Sequence, residues 1–150
     1  VARARSQDYE MNQNKPSDHQ GEHLPIPSET EKAAKAVLDA AFTVHSNLGP
    51  GLLENVYETC LAYELRKKGI DVQTQITLPV IYEDMRIETG YRLDMLVDKH
   101  VVVEIKSVEQ LLPVHHSQVL TYLKLSGYRL GLLVNFNVRH LRDGIQRFVN

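Results

Sequence analysis

The chain has little of what most reactive sites are built from. Its single cysteine, Cys60, excludes an intramolecular disulfide and a multi-cysteine metal site. It lies in an apolar helical stretch and reads as a buried small residue. There is no glycine-rich phosphate loop, no cysteine cluster and no nucleophile elbow. No apolar run is long enough to span a membrane, and the N-terminus has no signal-type apolar core, so a cytoplasmic protein without membrane contact is expected. Charge of one sign is also lacking. The formal net charge is −2, so no chain-wide attraction draws nucleic acid to the surface, and any basic groove must be local. No internal repeat is visible. The first residue is Val1 rather than methionine, as a processed or recombinant start would leave it.

What remains is an ordinary globular composition, 43% hydrophobic and 24% charged over 150 residues, enough for one domain with a real core. Residues 1–28 stand apart. They are polar, carry Pro16, Pro25 and Pro27, and show almost no apolar periodicity, which predicts a disordered leader or an extended arm ordered by a partner. The folded domain is expected at 29–150. Ser28 with Glu31 matches a capping box, and Val37, Ala40, Ala41, Val44 and Leu48 then form a helical stripe. Asn47-Leu48-Gly49-Pro50-Gly51 breaks that helix. A second runs from about Leu52 to Lys68, with Leu53, Val56, Tyr57, Cys60, Leu61 and Leu65 as its apolar face and Gly69 as its stop. Residues 72–82 alternate as a strand, with Ile76, Leu78, Val80 and Tyr82 on one face, and 83–86 turn into the next. Pro113 to Ser126 predicts a third helix closed by Gly127. Tyr128 to Phe136 is almost wholly apolar, as a covered central strand would be. A turn and an edge strand at Ile145 to Val149 complete the chain. Three serial strands form an antiparallel meander, and the Pro113 helix crosses over to a further strand. The sheet is therefore mixed, in an α/β sandwich rather than a doubly wound fold.

The chemistry-bearing residues lie on two of these strands. Tyr91, Leu93, Met95 and Val97 alternate with Arg92, Asp94, Leu96 and Asp98. Val101, Val103 and Ile105 alternate with Val102, Glu104 and Lys106. A turn centred on Lys99 pairs Val97 with Val101 and sets Asp94 opposite Glu104. Directly opposed residues share a face with Cβ atoms about 5 Å apart, and Lys106, two residues on, shares it too. Two carboxylates that close are tolerated if a cation lies between them or one stays protonated. Mg²⁺ or Mn²⁺ there would activate water and stabilise a leaving oxygen, with the lysine orienting water or balancing phosphate charge. The alternative is a solvated hairpin face with a cross-strand ion pair.

Other residues have two readings each. Glu54 is a first-turn acid favoured by the helix dipole; Tyr57, one turn on, is a core residue whose hydroxyl reaches a polar partner. His115, Gln118 and Tyr122 share a helix face that either leans over the acids or meets solvent. His115 and His116 are adjacent and make a poor metal pair. His45 either caps its helix C-terminus, the favoured reading, or points into a cleft.

With Glu54, Asp94, Glu104-x-Lys106 and Gln118-x-x-x-Tyr122 assembled, the chain resembles the PD-(D/E)XK nuclease superfamily, and more narrowly the small prokaryotic group called GxxExxY proteins. The narrower motif reads Gly51-Leu-Leu-Glu54-Asn-Val-Tyr57. It is accompanied by His45-x-x-Leu48-Gly49-Pro50-Gly51, Tyr91-Arg92-x-Asp94, Leu111-Leu112-Pro113-x-His115 and Asn135-Phe136. The likeness covers roughly residues 30–150. It departs from the superfamily pattern where Arg92-Leu93-Asp94 replaces the literal Pro-Asp. The resemblance implies a restriction-endonuclease-like three-layer α/β/α sandwich. It implies that Asp94, Glu104 and Glu54 are Mg²⁺ or Mn²⁺ ligands, that Lys106 positions water, and that Gln118 is oriented toward the lysine or the substrate backbone. The expected activity is a metal-dependent nuclease acting on nucleic acid, DNA before RNA, with a homodimer, a protein partner or the N-terminal arm helping to hold substrate. The alternatives are a non-catalytic binding or regulatory module and a hydrolase of a small phosphate ester.

Overall fold

A computed structural model describes residues 24–150. The leader expected at 1–28 lies outside the described residues as far as residue 23. Two helices, α1 (Ser28–Leu48) and α2 (Glu54–Lys67), precede strands β1 (Val72–Tyr82), β2 (Met85–Val97) and β3 (Val101–Lys106). Helix α3 (Pro113–Ser126) leads to β4 (Leu130–Asn135), a 3₁₀ turn at Leu141–Gly144 and β5 (Ile145–Val149). The sheet order is β1-β2-β3-β4-β5. All neighbours are antiparallel except β3 and β4, which are joined through α3 and run parallel. The mixed sheet with a crossover helix is therefore as expected.

Two cores make the sandwich. On one face, α1 and α2 bury Val37, Ala41, Tyr57, Leu61 and Leu65 against Val101, Val103 and Ile105. On the other, Val119, Tyr122 and Leu123 of α3 cover Val102, Leu133 and Leu96. Each large aliphatic side chain buried in this way contributes roughly 1.5–3 kcal/mol. β4 lies between the layers and is buried along its whole length, the reason its sequence carries no alternation. Among the described residues, no helix is long and apolar enough to cross a membrane.

Several local expectations are corrected. Ser28 is already helical and Pro27 is the N-cap. Glu31 pairs instead with the Arg147 guanidinium (Nη1 to Oε2 2.9 Å), tying α1 to the edge strand β5. Leu48, Leu53 and Val56 are exposed, because α2 begins at Glu54 and the loop before it stands off the core. Cys60 is half-buried. The α2 stop is as expected in substance: Gly69, with φ 75°, donates to Arg66 O, and Ile70 donates to Leu65 O, the two bonds of a Schellman motif.

The β1–β2 ribbon departs furthest from simple alternation. Val72, Met95 and Val97 join the α1/α2 core, but Ile76, Leu78, Tyr91 and Leu93 pack toward α3. The expected common face of Tyr91, Leu93, Met95 and Val97 is therefore split at Asp94. The register does not slip there, since Thr74 pairs with Met95 and Ile76 with Leu93. Gln75, between those rows, has φ 53°, and this left-handed residue rolls the ribbon over. A second irregularity falls between Leu78 and Val80. It brings Gly90 so close to Val80 that an added Cβ would stand 2.7 Å from the Val80 nitrogen.

Candidate active site

The tight turn Asp98-Lys99-His100 fixes the geometry. Asp98 and Lys99 have φ 52° and 57°, and Val97 pairs with Val101, Leu96 with Val102 and Met95 with Val103. The next row is Asp94 and Glu104, and there the ladder gives way to side chains. The Asp94 N–H donates to Glu104 Oε1 (3.2 Å), and the Ile105 N–H donates to Asp94 Oδ2 (2.9 Å). Two carboxylates thus stand where backbone carbonyls would otherwise accept, and the strands part around them.

Glu104 is 2% exposed. Burial, then the Asp94 charge, push its carboxyl up to about 8; the Asp94 N–H and the Lys106 ammonium pull the other way, and a carboxyl–carboxylate hydrogen bond to Asp94 adds to the rise. Two carboxylates this close limit their repulsion when one keeps its proton or when a cation lies between them. All donors of the pair are hard oxygens, the set that suits Mg²⁺ or Mn²⁺. Among the described residues, no three His, Cys, Asp or Glu side chains are grouped closely enough to hold a metal ion together. Among these residues the two opposed carboxylates stand together without a third such side chain grouped on them, and Glu54 approaches from the start of α2.

Glu54 opens α2, and its Oε1 accepts the Ser107 N–H at 3.4 Å. Ser107 also donates its hydroxyl to Leu52 O (2.5 Å), so the loop before α2 is docked on the residue after Lys106. Tyr57 holds this loop from beneath. It is fully buried, donates to Gly49 O (2.6 Å), accepts from Leu52 N–H (3.1 Å) and stacks on Phe136 at 4.5 Å. The expected core tyrosine with a polar partner is found. The stretch Gly51 to Tyr57 is thereby accounted for: the tyrosine sets the loop, and the loop delivers the acid.

On the other side, Gln118 donates to the Tyr122 hydroxyl (2.6 Å), and Tyr122 stacks on Tyr91 at 5.0 Å. Burial and then the Glu104 charge push the Tyr122 phenol up, and Tyr122 shares a core cluster with Leu93, the neighbour of Asp94. The polar face of α3 therefore leans toward the site. His115 does not share in it, because its Nδ1 accepts the Leu112 N–H and caps the helix start. His45 neither caps α1 with its side chain nor points freely into the cleft: its Nε2–H donates to Val138 O at 2.7 Å.

Two residues escaped the sequence. Glu58, one turn after Glu54, is pushed up by burial first and also by the Asp94 and Glu54 charges, while a hydrogen bond from Gln75 (2.7 Å) lowers it. Asn135, 2% exposed at the end of β4 and paired in register with Lys106, accepts Val108 N–H and donates to Val108 O, which fixes the segment leaving β3. The i, i+4 spacing of two acids on α2 was the available signal for Glu58. For Asn135 the signal was the Asn135-Phe136 pair of the resemblance, to which no role was attached.

A sequence model of the PD-(D/E)XK nuclease superfamily matches residues 31–148. The chain belongs to this superfamily. The match takes in both helices before the sheet, the opposed acids and all five strands. PD-(D/E)XK nucleases generally use divalent metals. No curated protein is significantly similar in sequence. A solved structure described as "Crystal structure of SSO0001" is similar over 80% of this chain and 58% of that one, with 20% identity and a TM-score of 0.44. The chain thus spans less than two thirds of that protein's length.

Proposed function

We propose that this PD-(D/E)XK protein is a Mg²⁺- or Mn²⁺-dependent nuclease that hydrolyses phosphodiester bonds, with DNA as the expected substrate and the cytoplasm as its place of work. The observation that carries the reading is the Asp94–Glu104 pair, set into the β2–β3 ladder with Lys106 on the same strand. A pair held by backbone N–H groups is preorganised, so it does not need to reorganise when a cation arrives. Asp94 and Glu104 would hold the ion, and Glu54 would complete its shell from the α2 start. When bound, the ion supplies an activated water and stabilises the leaving oxygen. Lys106 places a positive charge beside the phosphate and can orient the attacking water. Gln118 acts through Tyr122, holding the phenol against the acid pair. The Gly51–Glu54–Tyr57 motif supports placement in the GxxExxY group.

A second reading, a nuclease-fold binding or regulatory module without catalysis, has one observation in its favour: both acids already accept a backbone N–H. The two readings separate on cleavage. Wild type and Asp94→Ala are incubated with single-stranded DNA, duplex DNA and RNA, each with Mg²⁺ and with Mn²⁺. Polymer cleavage by wild type that disappears in Asp94→Ala supports the nuclease. A folded wild type that cuts none of them contradicts it, and turnover of nucleotide esters alone would move the assignment to a small-phosphate-ester hydrolase.

A further inference from the structure

A cleft of about 650 Å³ opens between the C-terminal end of α1 and the loop after β4. Its lining includes His45, Arg139, His140 and Arg142 and no aspartate or glutamate. In a chain of net charge −2, an acid-free lining with two arginines is a local exception. Arg139, His140 and Arg142 are exposed. Arg142 has a loose ion pair with Asp143 at 4.0 Å, and Arg139 makes no salt bridge among the described residues. The cleft lies outside the carboxylate pair, but both its walls are tied to the end of β3, the strand that carries Glu104. One wall is Gly49 and Pro50, the start of the loop that docks on Ser107 and ends at Glu54. The other follows directly from Asn135 and Phe136 at the end of β4, where Phe136 N–H donates to Lys106 O (2.9 Å). The His45–Val138 hydrogen bond closes the walls against each other.

We infer that this cleft is the electrostatic track for the substrate strand, binding backbone phosphates a few nucleotides from the scissile bond through Arg139, Arg142 and His140. The inference rests on the nuclease reading for its substrate. The spacing suits it. Glu54 lies five positions after Gly49, a span of at most about 18 Å, or no more than roughly five steps of a duplex at 3.4 Å each. Arginine presents a fixed fork that matches phosphate oxygens, and its contacts hold the strand in register without reading sequence. The division of labour is physical: an acidic centre repels a polyanion, so attraction must come from a basic surface held at fixed distance from it.

The test measures binding and cleavage separately on the full chain. Binding of a fluorescein-labelled 20-mer, single-stranded and duplex, is followed by anisotropy with Ca²⁺ in place of Mg²⁺, across a salt series. Cleavage is measured with Mn²⁺. The proteins are wild type, Arg139→Ala/Arg142→Ala and Asp94→Asn. The double variant is expected to bind about tenfold or more weakly at 0.1 M salt, with its salt slope reduced by about 2, while Asp94→Asn binds as wild type or better and does not cut. Equal binding by strands with and without a 5′-phosphate supports a track for internal phosphates; binding that requires the terminal phosphate overturns it. A double variant that binds and cuts like wild type overturns the cleft and leaves the nuclease standing. Binding that depends on the two arginines in a protein that never cuts supports the cleft and removes the nuclease reading. Because both arginines are exposed, circular dichroism and the melting temperature of the double variant are expected to match wild type.

Discussion

At the scale of single residues, Glu104 dominates. Its carboxyl is raised to about 8 from an ordinary 4.5, so between those values the folded protein holds a proton that the unfolded chain releases. Stability without metal therefore falls as pH rises from about 4.5 toward 8, and the loss is complete above the folded value. Urea unfolding in the presence of chelator should show this decline in wild type and a flatter profile in Glu104→Gln, which should also be the more stable of the two at pH 8; parallel profiles would contradict the assignment. Tyr57 makes a second test at this scale. Tyr57→Phe keeps the ring stacked on Phe136 but strands Gly49 O and Leu52 N–H, at a cost of about 1–2 kcal/mol, and it should lower cleavage further by loosening the loop that carries Glu54. What the sequence revealed here follows separation along the chain. Asp94 and Glu104 are ten residues apart across a three-residue turn, so their opposition could be counted out. Glu58 meets Gln75, and Asn135 meets Val108, only through the tertiary fold, so neither the acid spacing on α2 nor the Asn135-Phe136 pair states what they touch.

At the scale of elements, the β1–β2 ribbon decides where Asp94 points. Helices α1 and α3 and strand β4 were legible because their apolar pattern and, for α3, its glycine stop agree with their burial. The ribbon was not, because its roll at Gln75 keeps register while exchanging faces, and a single positive φ leaves no trace in hydropathy. The bulge beside it gives a mutational handle. Gly90→Val places a branched side chain against Val80 and its backbone and should cost roughly 1–3 kcal/mol, read as a lower urea midpoint with unchanged slope. Were Gly90→Val as stable as wild type, the close approach of the two strands would be wrong. The Ser28 capping box failed for an elementary reason: Glu31 lies within reach of Arg147, and a bidentate guanidinium competes better for the carboxylate than a helix-start amide.

At the scale of the whole molecule, the sandwich sets an opposed pair of strand acids and a strand lysine on the interior strands β2 and β3, with an α2 acid and a helix-borne glutamine–tyrosine pair on the helices that flank them. Metal binding should stabilise the fold as a whole, because the ion binds only the assembled pair: the melting temperature should rise with Mn²⁺ in proportion to the logarithm of its free concentration once sites fill, and Asp94→Ala should show no rise. The most direct test of the account is a calorimetric titration of Mn²⁺ into wild type and Asp94→Ala at pH 7, in two buffers of different ionisation enthalpy. With Glu104 protonated at that pH, the account predicts saturable binding to wild type with release of about one proton per ion, and no binding to Asp94→Ala. Binding that is identical in the two proteins, or a folded wild type that takes up no Mn²⁺, would contradict it.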